Sequence, residues 1–246
     1  MNIFKFSASS VAGLALALSF PSIASAEPYT PTGDDSNLRS LVTELVEQSP
    51  GASYEEMMQA VEDVAISTGT SETQVASEAL AELNSQANNA RIQPRSGSKP
   101  SANKAIGTSR YRGDVFYTPA STAGVNHGHS GIYSYTTKII EANPGSGVAE
   151  RSHTQVKVAS GARKQYVSTS QANRNKAANR ARTYLGRGYN YIFALNKTER
   201  GSMNCSQTVW AAYKNATGID LDSNGGPGVY PSDILNSRYT KTYQTY

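Results

Sequence analysis

Cysteine is almost absent from this chain of 246 residues, in which Cys205 is the single example. An intrachain disulfide is therefore excluded, and a packed core has to stabilise the fold. Histidine is nearly as scarce, with three residues. Because histidine is the most frequent general base in enzymes, this scarcity leaves a short list of candidates for proton transfer.

Long apolar runs are also missing, apart from one near the N terminus. Lys5 precedes an apolar run over 11–20, and the small residues Ala24-Ser25-Ala26 follow it. The run is shorter than the roughly 20 residues that a spanning helix needs. This order of charge, apolar run and small-residue cleavage site predicts a secretory signal peptide over residues 1–26, with an uncleaved anchor as the alternative. We therefore expect a mature chain that is secreted, extracellular or cell-wall associated, with no membrane span after signal removal.

Basic residues are nearly missing from residues 27–90, which carry 12 acidic residues and one arginine, a net charge of −11. Residues 91–246 carry 21 basic and 7 acidic residues, a net charge of +14. This separation of charge indicates either two parts that face each other or a basic part that meets an anionic partner. A solvated basic surface would explain the same numbers.

Residues 27–90 have the apolar spacing of short amphipathic helices. Apolar residues recur at helical intervals from Leu38 to Val46, and Ser53 with Glu56 forms a capping-box pattern before a second such stretch. We predict an acidic helical pro-segment or regulatory region over 27–90, with an independent spacer or partner-binding unit as the alternative. Residues 91–109 are rich in Ser, Pro, Lys and Arg, and are predicted to be an exposed linker.

Residues 110–246 change to the pattern of short strands with two embedded helices. The helices are predicted near 171–185 and 204–218. The strand candidates are β-branched or aromatic runs between turn residues. They are Val115-Phe116-Tyr117, Gly131-Ile132-Tyr133, Lys138-Ile139-Ile140, Gln155-Val156-Lys157-Val158 and Gln165-Tyr166-Val167. This mixture predicts an α+β domain.

Cys205 is a candidate nucleophile because of its place at a predicted helix start. Asn204 is a favourable helix cap, so Cys205 falls in the first turn. The positive end of the helix dipole favours a thiolate there. The alternative is a buried structural cysteine.

Two histidines alternate along a predicted strand, so His127 and His129 point to the same face. A hairpin would bring Glu141 from the next strand beside His129. Glu141 could then bind one nitrogen of His129 and direct the other towards Cys205, which is the logic of a catalytic triad. A metal site formed by both histidines and Glu141 is the alternative, and His153 is expected to be structural.

Four of these motifs together resemble the circularly permuted NlpC-type papain-like hydrolases, and in particular the YiiX/YebB and YycO group. They are Gly113-Asp114-Val115-Phe116, His129-Ser130-Gly131-Ile132-Tyr133, Ile140-Glu141-Ala142 and Asn204-Cys205-Ser206-Gln207. The resemblance covers residues 110–246 and shows the permuted order of base, polar residue and nucleophile. It implies a papain-like domain with a central antiparallel sheet, preceded here by the helical N-terminal region.

The same resemblance implies the roles of the site residues. Cys205 would be the nucleophile, His129 the base and Glu141 the third, polar member. We expect the flanking residues His127, Asn204 and Ser206 to contact the substrate.

The resemblance implies hydrolysis of amide bonds, with cell-wall peptides or another acyl or amide compound as substrate and anionic wall polymers as further partners. The alternatives are a non-catalytic cell-wall-binding module on the same fold, and a lipid acyl hydrolase or acyltransferase. We expect a monomer that uses no cofactor or metal and binds no nucleic acid.

Overall fold

A computed structural model describes residues 33–49, 51–92, 103–122, 125–126 and 128–246. The predicted signal peptide, residues 1–26, lies outside these ranges. The helices are α1 (Gly33–Glu47), α2 (Tyr54–Thr68), α3 (Glu72–Ile92), α4 (Gln171–Arg182), α5 (Cys205–Thr217) and α6 (Pro231–Asn236). The strands are β1 (Lys104–Ala105), β2 (Val115–Thr118), β3 (Ser121–Thr122), β4 (Val125–Asn126), β5 (His129–Tyr135), β6 (Lys138–Asn143), β7 (Gly147–Ser152), β8 (Lys157–Val158), β9 (Arg163–Val167) and β10 (Thr240–Thr245).

A six-stranded antiparallel sheet in the order β10-β9-β2-β5-β6-β7 forms the centre of the C-terminal part. Two short antiparallel pairs, β1 with β8 and β3 with β4, accompany it. Helices and an antiparallel sheet in one domain confirm the predicted α+β fold.

The close pairing of β2 with β5 depends on a glycine. In this register Phe116 is paired with Gly131, and Thr118 with His129. A Cβ atom added to Gly131 would lie 2.6 Å from Cε1 of Phe116. A side chain at this position would therefore displace the ring that packs next to His129.

Helices α4 and α5 cover one face of the sheet and bury its side chains. The core beneath them contains Val115 and Ile132 from the sheet, together with Ala177, Val209 and Tyr213 from the two helices. All five are fully buried. This packing fixes α5, and with it the position of Cys205, relative to β5.

Helices α1 to α3 bury a second core. Ser53 and Glu56 form the capping box that begins α2, with Glu56 N donating to Ser53 Oγ and Ser53 N donating to Glu56 Oε2. The core also includes Ile192, Ala194 and Leu195 from the C-terminal part of the chain. The N-terminal helices therefore pack directly against the segment that leads to Cys205.

The described end of the predicted linker, from residue 103 onwards, is less exposed than its composition predicts. Helix α3 runs to Ile92, and β1 already pairs with β8. Ile106, which follows β1, is fully buried against Phe116 and Tyr133. The side chain of Ile106 thus anchors the end of the predicted linker to the sheet. Residues 93–102 of the linker lie outside the described ranges.

Within the described ranges, none of the helices combines the length and the apolar character that crossing a membrane requires.

Candidate active site

Cys205 is the first residue of α5, and its side chain is almost completely buried, with 1% exposed. Asn204 caps the helix: its Oδ1 accepts from the backbone N–H of Gln207, and Gln207 Oε1 accepts from the backbone N–H of Asn204. The backbone groups of Ser130 and Ser206 lie near the sulfur and lower the pKa of Cys205. The thiol thus lies at the positive end of a capped helix, which favours its ionised form.

His129 is the first residue of β5, and its side chain is 17% exposed. Pairing with β2 fixes its backbone, and the ring of Phe116 meets the imidazole edge-on with 5.8 Å between ring centroids. The imidazole lies close enough to Cys205 for each group to shift the pKa of the other. The sheet therefore places the second of the three predicted residues in contact with the thiol.

Glu141 lies in the middle of β6 and is 5% exposed. Its Oε2 lies 2.9 Å from Nε2 of His129. Its Oε1 lies 3.2 Å from Nε of Arg151 on β7. The nearby side chain of Asn143 also lowers the pKa of the carboxyl. The structure brings Cys205, His129 and Glu141 into one continuous chain of contacts.

The charges of these three residues support one another. Burial alone would raise the pKa of the Cys205 thiol, but the charge and hydrogen bond of His129 hold it below its ordinary value. Burial alone would lower the pKa of His129, but Cys205 and Glu141 raise it to about 10. Burial likewise opposes ionisation of Glu141, but the hydrogen bond with His129 and the charge of Arg151 keep the pKa of the carboxyl below its usual range. The favoured state is a thiolate beside an imidazolium, with an ionised carboxylate behind it.

The orientation of the imidazole follows from the contact with Glu141. Because Nε2 binds the carboxylate, Nδ1 remains for Cys205. In space, the nucleophile lies beside the base, and the base lies beside the residue that orients it. This is the geometry of covalent acyl transfer.

The residues expected to contact the substrate fall in different places. The side chain of Asn204 is fully buried and accepts from Asn196 Nδ2 at 3.1 Å. The hydroxyl of Ser206 is also buried and donates to the carbonyl of Val229 at 2.7 Å. His127 lies outside the described residues.

The alternative metal site required His127 together with His129 and Glu141, and the position of His127 is not described. The described part of the chain contains no group of three or more potential His, Cys, Asp or Glu ligands. His153 lies beyond β7, where its backbone N–H donates to the carbonyl of Thr137.

Three side chains that support the site were missed in the sequence. Arg151 contacts the carboxylate of Glu141, Asn143 lowers the pKa of the same carboxyl, and Asn196 donates to the cap residue Asn204. The pairing of β6 with β7 places Arg151 opposite Ile139, two residues before Glu141. Predicting this strand pair from the sequence would have located the arginine.

Comparison with known proteins identifies the family of the chain. Residues 112–225 match the family described as permuted papain-like amidase enzyme, YaeF/YiiX, C92 family. The uncharacterized protein YycO of Bacillus subtilis (strain 168) is 34% identical over 209 residues, which are 82% of this chain and 85% of YycO. No solved structure matches the chain. The identity extends over most of both chains, and the predicted resemblance is confirmed: the chain belongs to the YiiX/YycO-like family of permuted papain-like amidases.

Proposed function

We propose that the protein is a thiol-dependent amidase or peptidase with Cys205 as nucleophile, His129 as general base and acid, and Glu141 as the residue that orients His129. One observation carries this proposal: the uninterrupted contact from Cys205 through His129 to Glu141 at the start of α5. Membership of an amidase family supports the type of reaction.

The geometry suggests how an amide bond is broken. The sulfur of Cys205 attacks the carbonyl carbon and forms a tetrahedral intermediate. The imidazolium of His129 gives its proton to the amide nitrogen, the C–N bond breaks and the amine leaves, while the acyl group stays on sulfur as a thioester. A water molecule then gives a proton to His129 and attacks the thioester, which releases the carboxylic acid and restores the pair.

We further propose that the substrate is a peptide of the bacterial cell wall and that the mature protein acts outside the cytoplasm. The signal-peptide pattern of residues 1–26 supports export, and the net charge of +14 over residues 91–246 suits a wall that carries anionic polymers.

The decisive experiment incubates the mature chain, starting at Glu27, with purified cell-wall peptides and identifies the products by mass spectrometry. Cys205→Ser should abolish product formation with an unchanged fold, because the hydroxyl is a much weaker nucleophile. A serine variant that keeps most of the activity would exclude the thiol mechanism. Release of acyl groups from lipid substrates, with the wall peptides left intact, would exclude the wall substrate and favour a lipid acyl hydrolase.

A further inference from the structure

Asn196 is a fully buried amide in the irregular chain that leads from α4 to Cys205. Its Oδ1 accepts from the backbone N–H of Val229 at 2.7 Å, and its Nδ2 donates to the carbonyl of Val229 at 2.8 Å. One side chain thus binds both backbone groups of Val229, as a neighbouring strand would. Nδ2 also donates to Oδ1 of Asn204 at 3.1 Å, so the same amide reaches the residue that caps the nucleophile's helix.

The carbonyl of Val229 accepts a second hydrogen bond from Oγ of Ser206, the residue after the nucleophile. The backbone turn that carries Cys205 is therefore tied to Val229 from both sides, by Asn196 through Asn204 and by Ser206 directly. Because the N–H of Val229 is buried with the Asn196 amide, removing this amide leaves a buried donor without its acceptor, and this is costly.

The segment after Val229 reaches the strand of the base. A Cβ atom added to Gly128, which directly precedes His129, would lie 3.2 Å from Cβ of Pro231. The segment that begins at Val229 therefore lies close to the residues next to both members of the pair, Ser206 after Cys205 and Gly128 before His129.

Asn196 also lies at the junction with the N-terminal helices. The preceding residues Ala194 and Leu195 are buried in the core of α1 to α3, and the carbonyl of the following Lys197 accepts from Oγ of Ser67 on α2 at 3.1 Å. The backbone on both sides of Asn196 is thus held by the helical region.

We propose that Asn196 is a positioning residue for the nucleophile: it fixes the turn of Asn204 to Ser206 against Val229, so that the sulfur of Cys205 stays within reach of His129 and of the backbone groups of Ser130 and Ser206. This inference rests on the proposed function, because it concerns the reactivity of the same thiol. Without Asn196 the turn shifts, the thiolate loses part of its stabilisation, and its pKa moves towards that of an ordinary thiol.

The test compares Asn196→Leu with Gln165→Met in the full mature chain. Both changes keep the approximate shape of a buried amide and remove its hydrogen bonds. Gln165, on β9, is 2% exposed and bonds to the carbonyl of Leu235 and to Thr242 on β10, and neither bond involves Asn204, Cys205 or Val229. The thiolate of the single cysteine is titrated by its ultraviolet absorbance, its alkylation by iodoacetamide is timed at neutral pH, and the melting temperature is recorded.

We expect both variants to melt at lower temperature, and only Asn196→Leu to raise the pKa of Cys205. Alkylation at neutral pH should slow, by about tenfold for each unit by which the pKa exceeds the pH of the assay, and kcat should fall more than KM changes. Asn196→Ala, which leaves room for a water molecule beside Val229, should shift the titration in the same direction.

A thiolate titration of Asn196→Leu that superimposes on that of Gln165→Met overturns the proposal. It is overturned equally if both Asn196 variants unfold while Gln165→Met stays folded, since the role would then be structural. If Cys205 of the unaltered protein titrates as an ordinary thiol, the proposed function itself fails, and this outcome is visible before any variant is compared.

Discussion

Arg151 Nε lies 3.2 Å from Oε1 of Glu141, the carboxylate oxygen that does not contact His129. One oxygen of the Glu141 carboxylate thus contacts Arg151, and the other contacts the base, His129. Because the positive charge of Arg151 helps to keep Glu141 ionised, it also supports the charged form of His129.

Arg151→Ala should lower kcat by about tenfold, less than the ~10²-fold or more that a general base contributes. The expected reason is a carboxylate that is less fixed and less readily ionised. Arg182→Ala is the matched control, since both arginine side chains are 37% exposed and Arg182 pairs with Glu150 instead. Steady-state rates that fall equally in the two variants would argue against a role through Glu141.

Glu141→Gln should cost most of the activity and leave the melting temperature little changed. The amide keeps the shape of the carboxylate but removes its charge, so the imidazolium of His129 loses a partner that raises its pKa. An NMR titration of His129 should show a lower pKa in the variant. Full activity of the glutamine variant would mean that another group orients the base.

The activity should follow a bell-shaped pH profile. The acid limb reports loss of the proton from Cys205, and it should lie below the ordinary thiol pKa of 9.0 because the pKa of Cys205 is lowered. The alkaline limb reports loss of the proton from His129, near pH 10. A profile of kcat/KM with a single rise near 6.5, the ordinary pKa of histidine, would indicate a neutral thiol activated by a neutral base instead.

The raised pKa of His129 also makes the stability of the fold depend on pH. His129 binds its proton more tightly in the folded state, so its contribution is fully present below pH 6.5 and is lost as the pH rises through about 10. His129→Ala should therefore reduce the melting temperature more at pH 6 than at pH 11.

A second pH-dependent contact joins the N-terminal helices to the C-terminal part. Glu82 on α3 accepts from Nδ2 of Asn224 at 3.1 Å, while its other oxygen, Oε2, is buried without a hydrogen-bond partner. Burial, together with the charges of Asp233 and Asp222, raises the pKa of Glu82 to about 7, although Asn224 and Lys197 oppose the shift.

Because the neutral form of Glu82 is favoured in the fold, its contribution to stability is present below pH 4.5 and is lost as the pH rises through about 7. Glu82→Gln should therefore raise the melting temperature at pH 8 and have little effect at pH 4. Glu78→Gln, on the exposed side of the same helix, is the control and should change the melting temperature equally at pH 4 and pH 8. A wild-type melting temperature that is flat between pH 4 and pH 8 would contradict the assignment.

The sequence predicted the parts of the site that local patterns determine. Asn204 is a strong cap, so the start of α5 and the place of Cys205 follow from neighbouring residues. The hairpin of β5 and β6 brings Glu141 to His129 as expected. Strand β7 was not predicted because it is an edge strand that carries small and charged side chains, and its Arg151 was missed with it.

Asn196 could not be identified locally either, because its partners Asn204 and Val229 are brought to it by irregular backbone. The apolar faces of the N-terminal helices are visible in the sequence, but their partner Leu195 is far away along the chain, so no local pattern identifies it. Their role as a pro-segment or regulatory region stays a prediction.

The tie between Asn196 and Val229 has a consequence for the order of events during synthesis. Val229 leaves the ribosome after Cys205, so the turn that carries the nucleophile cannot be fixed while the chain is still being extended through residues 206–228. Strand β10, which closes the edge of the sheet beside β9, comes later still. A chain that ends before Val229 therefore lacks every hydrogen bond that Asn196 and Ser206 make to this residue.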